Sequence, residues 1–410
     1  MTRSTAPAVR AGRYIRQASG YRAFIPATLP PVPEVQTTDL LRELLGAQEA
    51  VARLDGIATT LPNADLLVFM YIRAEAVLSS QIEGTQASLD DVLRAEADLR
   101  NADDPKDVQE VINYIAALDH GLKRRSELPL SLRLIREIHA ELMQGVRGES
   151  KNPGEFRRSQ NWIGPAGATL HTARFVPPPV PEMLSALDNL EHFIYEEDSG
   201  VPNLIKIGLL HAQFETIHPF LDGNGRTGRL LITLLLCHYG LLSQPLLYLS
   251  YYFKLHRTEY YDRLQAVRDR GDWEGWLRFY LEGVRVVALE STEKTRAVLR
   301  LRQHDREMLA SLGTKSGRAL RVVDHLYRFP YVSVRAVQRL GALSYNTASA
   351  LVSDLVSVGL LVPLDDRQRD RVYYHRAYLG IFQIDPAPGL PATDELTGSD
   401  GRPDVATTPP

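Results

Sequence analysis

Apolar residues recur at three- and four-residue steps through most of this chain, a pattern that predicts a mainly helical protein. Leu67, Met70, Ala74, Val77, Leu78 and Ile82 mark one face of an amphipathic helix over residues 64–83, and Gly84 is a natural stop just beyond it. Thr38–Leu54 reads as an earlier helix, and the region from about 105 to 145 as two more with Pro129 between them. Ile205, Leu209, Ala212, Phe214 and Ile217 carry a further helix. Pro219 should end it at or near His218, because proline disfavours helical backbone in the residue before it. Leu230–Cys237 is apolar on every side, which suits a helix at the centre of a bundle. Gly154–Gly167 and Phe175–Val180 differ, with short β-like stretches between turn residues and prolines.

Between the two apolar helices lies His218-Pro-Phe-Leu-Asp-Gly-Asn-Gly-Arg-Thr-Gly-Arg229. Gly223 and Gly225 permit backbone angles that let successive N–H groups point inward as an anion nest. The next helix is expected to start around Arg226, and its free N–H groups and dipole also favour an anion. Arg226 and Arg229 share a helical face and can grip two phosphate groups. Asp222 is a natural Mg²⁺ ligand, since that ion is commonly held by one or two carboxylates plus substrate phosphates. His218 has the intrinsic pKa to take a proton from a hydroxyl near neutral pH. Each residue alone has an ordinary structural explanation. Two arginines at a positive helix end, beside a histidine and a double-glycine turn, call for an anionic partner.

This string resembles the Fic family motif, His-x-Phe-x-Asp/Glu-Gly-Asn-Gly-Arg-x-x-Arg, at every fixed position. The resemblance implies a mainly α Fic helical bundle and transfer of AMP from ATP to a protein Ser, Thr or Tyr hydroxyl. It also implies roles: His218 as base, Asp222 as Mg²⁺ ligand, Asn224 as a phosphate contact, and Gly223 and Gly225 as sources of nest amides. Arg226 and Arg229 would hold the outer phosphates, Thr227 would complete the nucleotide-contacting set, and Phe220 would anchor the loop. Doc-type kinases of the family carry lysine where this chain has Gly225, so adenylylation is favoured over phosphorylation. Some relatives also remove AMP, which these residues do not decide.

Glu83 stands in the last turn of the 64–83 helix, where a carboxylate is electrostatically misplaced by about 0.3–1 kcal/mol unless a cation faces it. Ser79-Ser-Gln-Ile-Glu83-Gly84 is similar to the Fic inhibitory pattern, Ser/Thr-x-x-x-Glu-Gly/Asn, in the class with an N-terminal inhibitory helix. That likeness implies a Glu83–Arg229 pair that keeps the terminal phosphate of ATP from its productive pose. The 154–180 region matches the β-hairpin flap on which Fic relatives dock an extended protein substrate by strand addition, with Trp162 and Ile163 as flap residues. Resemblance also places Tyr252 and His256 near the nucleotide base or ribose, although many relatives have Asn where His256 aligns. No His-Glu-x-x-His or Cys/His cluster accompanies His211, so a zinc site is not expected.

Residues 315–380 change character. Ala319–Tyr327, Val334–Leu340 and Tyr345–Val358 read as helices, with a turn at Gly341–Ser344 and a stop at Gly359. Leu360–Leu364 and Arg371–Tyr374 read as strands around the charged loop Asp365–Asp370. That order resembles a winged helix. The would-be recognition helix Tyr345–Val358 has no Lys or Arg and carries Asp354, although Arg335, Arg339, Arg367, Arg369 and Arg371 flank it. Phosphate contacts dominate DNA affinity. The module therefore reads as one for protein docking or dimer packing ahead of DNA binding. A transcriptional regulator with a nucleotide-sensing loop is the alternative reading of the whole chain.

Composition adds bounds. A net charge of −3 gives no general attraction to nucleic acid or anionic membranes. The single cysteine, Cys237, cannot form an internal disulfide and fits a reducing cytoplasm. No apolar stretch approaches the roughly 20 residues of a membrane span. The expected organisation is a mobile arm (1–20), an N-terminal helical region with the inhibitory helix (21–100), a catalytic core (101–300), a winged-helix domain (310–383) and a disordered tail (384–410).

Overall fold

The computed structural model describes residues 10–59, 65–97, 105–165, 167–197, 200–366 and 371–382. Strands β1 (Gly12–Arg16) and β2 (Arg22–Pro26) form an antiparallel hairpin. This departs from the mobile arm expected over residues 1–20. A lone hairpin is marginal in water, but Phe24 is buried here, its N–H donates to the Val176 carbonyl (2.9 Å), and Tyr14 packs edge-on against it at 5.0 Å. Residues 1–9 of that arm and the tail 384–410 lie outside the described residues.

The helices that follow are α1 (Leu41–Thr59), α2 (Asp65–Ile82), α3 (Leu89–Glu96), α4 (Pro105–Arg124), α5 (Leu132–Leu142), α6 (Val180–Tyr195), α7 (Asn203–Ile217), α8 (Asn224–His238), α9 (Ser250–Leu255), α10 (Arg257–Arg270) and α11 (Trp273–Ala310). The three- and four-residue periodicities correspond to α2, α4, α5 and α7. Helix α8 begins at Asn224 rather than near Arg226, because Gly223 takes the cap position at φ +76° and lets the next two residues enter the first turn. Leu230, Leu234 and Leu236 of α8 are buried, and α2, α4, α5 and α7 all touch this helix, which puts it at the centre of the bundle. Helix α11 runs for 38 residues along α1, α7, α9 and α10, and continues past the expected core boundary at residue 300 to reach the C-terminal elements.

The flap is not a hairpin of regular strands. One bridge joins Ile163 and Phe175, and the Trp162 indole folds back to donate to the Ala168 carbonyl (2.9 Å). Pro165 and Pro177–Pro179 cannot donate to a ladder, which keeps the pairing to a single bridge.

The C-terminal elements are α12 (Ser316–Leu326), β3 (Tyr331–Ser333), α13 (Val334–Gly341), α14 (Tyr345–Ser357), β4 (Val362–Pro363), β5 (Val372–Tyr374) and α15 (Arg376–Ile381). The strands form an antiparallel sheet in the order β3-β5-β4. This arrangement is compatible with a winged helix; residues 367–370, including Arg367 and Arg369, lie outside the described residues. The module leans on the first turns of α2. Phe329 packs edge-on against Phe69 (5.0 Å), Phe382 against Tyr71 (5.4 Å), and the Tyr331 hydroxyl donates to Asp90 of α3. Asp305 of α11, fully buried, accepts from the Tyr327 hydroxyl (2.6 Å) and contacts His375 Nε2 (2.8 Å), tying the module to the long helix. Among the described residues no helix is long and apolar enough to cross a membrane.

Helices α7 and α11 meet closely enough to require glycine at 208. Trp276 Nε1 donates to the Gly208 carbonyl (2.8 Å), and a Cβ at that position would lie 2.7 Å from Leu277 Cδ2 and 2.9 Å from Tyr280 Cδ1. Alanine favours a helix interior by about 0.8–1 kcal/mol, but overpacking costs about 1–3 kcal/mol. Gly208→Ala is expected to lower the thermal unfolding midpoint in scanning calorimetry; a higher midpoint would show that the two helices part freely.

Candidate active site

His218 ends α7 in the left-handed region (φ +49°), where its N–H still bonds the Phe214 carbonyl (3.0 Å). Arg157 holds this unusual turn. Its backbone N–H donates to the Pro219 carbonyl (2.9 Å), its Nε to the His218 carbonyl (3.0 Å), and a terminal nitrogen to the Pro178 carbonyl (2.5 Å). Asn161 donates to the carbonyls of His218 (3.2 Å) and Phe220 (2.9 Å). His139 supports the other side. Its ring stacks on Phe220 at 3.7 Å, Nδ1 accepts from the Gly154 N–H (2.9 Å), and so Nε2–H donates to the Asp222 carbonyl (3.0 Å). Burial pushes the His139 pKa down to about 4, which keeps this tautomer neutral and in place.

The Asn224 side chain closes the loop on itself. It accepts from the Phe220 N–H and donates to the Phe220 carbonyl, both at 2.8 Å. Its amide therefore shapes the loop that carries the proposed phosphate site. Thr227 Oγ1 donates to the Gly223 carbonyl (2.9 Å), and Asp222 Oδ1 accepts from the Gly223 N–H (2.7 Å).

Three features make the loop reactive toward an anion and a proton. Burial, with the Arg268 and Arg157 guanidiniums nearby, pushes the His218 pKa down to about 3, so the imidazole is neutral at physiological pH and available as a base. Its Nδ1 is buried without a partner, and so is Nε of Arg226. Buried polar atoms without partners are uncommon and call for a ligand or a function. Among the described residues, Arg226 is otherwise held by Glu110 (3.4 Å) and Met143 Sδ (3.5 Å).

Arg229 is almost fully buried, and residues of α2 and the turn after it surround it. Its Nε donates to Ser79 Oγ (2.9 Å), and a terminal nitrogen donates to the Ser79 carbonyl (3.0 Å) and to Glu83 Oε1 (2.8 Å). Burial alone would raise the Glu83 carboxyl; Arg229, with Arg226 behind it, outweighs that and holds it below the usual range. The carboxylate lies over the first turn of α8. A Cβ on Gly225 would come within 2.3 Å of Glu83 Oε1, so only glycine admits the carboxylate there. Gly84, at φ +103°, ends the helix and turns the chain away.

The structure thus brings residues 218–229 together with Ser79, Glu83 and Gly84. Tyr252 and His256 sit at the junction of α9 and α10, their rings 4.4 Å apart, with Tyr252 packed on Phe279. Arg257 links this junction to the site through the Ile82 carbonyl (3.2 Å). Sequence reasoning missed Arg157, His139, Asn161, Glu110 and Glu215. Only Glu215 had a local signal, three residues before His218 on the same helix. It is buried with Oε1 unpartnered, and burial raises its pKa to about 7. Among the described residues no group of three or more His, Cys, Asp or Glu could hold a metal. The donor set fits only an ion that takes one carboxylate, Asp222, and fills its remaining positions with phosphate oxygens and water.

Residues 41–123 match the sequence model described as Fic/DOC family N-terminal, and residues 129–236 the one described as Fic/DOC family. Protein adenylyltransferase Fic of Aedes aegypti is 32% identical over 206 residues, covering 48% of this chain and 37% of that protein. The protein of the same name from Drosophila grimshawi is 30% identical over 204 residues, covering 48% of this chain and 38% of its own length. The chain therefore matches well under half the length of these relatives. A solved Fic family protein from Desulfovibrio desulfuricans G20 shares the fold, with a TM-score of 0.54 over 84% of this chain and 97% of that one, at 19% identity.

Titration of His218 by nitrogen-edited NMR is expected to show a neutral ring from pH 8 down to pH 5. Arg268→Gln removes a nearby cation, so the protonated form becomes less costly and the midpoint moves up. A wild-type midpoint near the ordinary value of about 6.5 would contradict this electrostatic picture.

Proposed function

The chain belongs to the Fic/DOC family, and from that premise we propose that it is a protein adenylyltransferase held inactive by Glu83. The observation that carries this reading is the carboxylate over the N-terminal turn of α8, bonded to Arg229 at 2.8 Å. A helix N-terminus flanked by arginines binds phosphate, and here an internal anion stands in for one. With Glu83 withdrawn, ATP would place its outer phosphates against Arg226, Arg229 and the amides of residues 223–225. Neutral His218 takes the proton of a target Ser, Thr or Tyr hydroxyl. The hydroxyl oxygen bonds to the α-phosphorus as the α–β bridging bond breaks, giving the AMP ester and pyrophosphate. Arg226, Arg229 and the α8 N-terminus stabilise the charge that builds on the leaving pyrophosphate. Asp222 is the carboxylate that would hold Mg²⁺, which supplies further charge neutralisation when bound.

The flap fits a role in docking an extended protein segment, since Ile163 makes only one bridge and Trp162 is exposed beside it. The C-terminal module fits a packing role better than a DNA-reading one. Helix α14 has no Lys or Arg, and its Asp354 pairs with Lys315 (2.6 Å).

Glu83→Gly is expected to raise incorporation of label from α-³²P-ATP into the protein or a lysate by roughly 5–150-fold, the range of a 1–3 kcal/mol coupling. Incorporation unchanged by this substitution would count against the inhibitory role. In the same background His218→Ala is expected to abolish transfer while leaving ATP affinity within a few fold; surviving transfer would remove His218 as base.

A further inference from the structure

We propose that the cleft between the N-terminal hairpin and the flap is a subsite for acidic side chains flanking the modified hydroxyl of the target protein. The proposal rests on reading the chain as a protein-modifying enzyme.

The hairpin register sets Arg16 directly opposite Arg22. Like charges in directly opposed positions destabilise a strand pair. Both arginines are exposed, and neither forms an ion pair among the described residues. The Arg22 guanidinium lies 5.1 Å from the centre of the Tyr14 ring, which places it at the wall of the cleft. The cleft is about 360 Å³, and Tyr14, Tyr21, Arg22, His171 and Arg174 line it. Two carboxylates lie nearby. Asp262 pairs with Arg174 (2.9 Å), but both side chains are more than half exposed (56% and 60%), so the pair exchanges readily with solvent. Asp269 accepts from the Tyr14 hydroxyl (3.3 Å). Arg22 and Arg174 thus line a concave surface whose other walls are the Tyr14, Tyr21 and His171 rings and apolar residues such as Leu170 and Phe175; Arg16 stands opposite Arg22 on the hairpin, and among the described residues neither hairpin arginine has an ion-pair partner.

The cleft is tied to the proposed base. The Phe24 N–H bonds the Val176 carbonyl (2.9 Å), and Phe24 packs against Phe175 (6.0 Å). Phe175 exchanges both backbone bonds with Ile163 (2.8 and 3.1 Å). Asn161, two residues earlier, donates to the His218 carbonyl (3.2 Å). An extended segment on the flap advances about 3.3 Å per residue, so residues a few places from the acceptor hydroxyl reach past the flap to the hairpin. Glutamate or aspartate there would relieve the Arg16–Arg22 repulsion; lysine would add to it.

The test uses the full chain without nucleotide at low ionic strength, and fluorescence anisotropy. The probes are three labelled peptides with a central threonine flanked by glutamates, glutamines or lysines, plus an oligothymidylate of the same charge as the glutamate peptide. The glutamate peptide should bind tightest and the lysine peptide weakest, with the preference fading at high salt. Arg16→Glu combined with Arg22→Glu should weaken the glutamate peptide by roughly tenfold, since each exposed pair contributes a factor of about two to five, and should favour the lysine peptide. Arg22→Gln serves if the double variant melts early. Equal binding of the glutamate and glutamine peptides, an unchanged order in the variants, or tighter binding of the oligonucleotide overturns the proposal. ATP is then added to the Glu83→Gly form with each peptide. A charge preference without AMP transfer rejects the activity and leaves the subsite standing; transfer without a preference rejects the subsite.

Discussion

The Glu83 carboxylate reaches Arg229 at 2.8 Å across the first turn of α8, where the backbone presents N–H groups without helical partners and the positive end of the dipole. The rest of the site is arranged around that anion position. Gly225 leaves it room, Arg226 approaches it with Nε unpartnered, and the dipole gives a negative group there about 0.3–1 kcal/mol at an exposed site and more when desolvated. Without Glu83, Arg229 would keep its two bonds to Ser79. The guanidinium is therefore not orphaned when the glutamate leaves, and exchanging an internal carboxylate for a phosphate does not require the core to repack.

The scaffold behind the loop is rigid for a different reason. His218 occupies left-handed backbone that a non-glycine residue adopts only when its surroundings require it. Arg157, Asn161 and His139 supply that requirement by bonding the carbonyls of His218, Pro219, Phe220 and Asp222 from outside the loop. The same burial that excludes water from these bonds keeps His218 and His139 neutral. Helix α2 is fixed at both ends, by the C-terminal module at Phe69 and Tyr71 and by Arg229 at Ser79 and Glu83. Glu83 is thus delivered by a helix whose position the whole bundle sets.

Much of this was legible in the chain because it is local. The 218–229 string, the α2 periodicity and the glycine stop at 84 each depend on residues within two or three turns of one another. What escaped notice depends on distance in sequence. Arg157 reaches His218 across 61 residues, His139 reaches Asp222 across 83, and Glu110 meets Arg226 across 116. Nothing in the vicinity of Arg157 or Glu110 marks either as more than a surface charge. The hairpin at residues 12–26 is hidden because its five-residue strands carry arginines at 13, 16 and 22 and gain order from residues distant in sequence, such as Phe175, Val176 and Asp269. The short β-like stretches of the flap pair through one antiparallel bridge, Ile163–Phe175, because the prolines around them cannot donate to a longer ladder.

Calorimetric titration of ATP and ADP against the wild-type chain and Glu83→Gly tests the central claim most directly. If the Glu83 carboxylate holds the place of the terminal phosphate, its removal should tighten ATP by more than about tenfold, a difference of about 1.4 kcal/mol. ADP, which lacks that phosphate, should change little. Equal gains for both nucleotides, or no gain for ATP, would contradict the account.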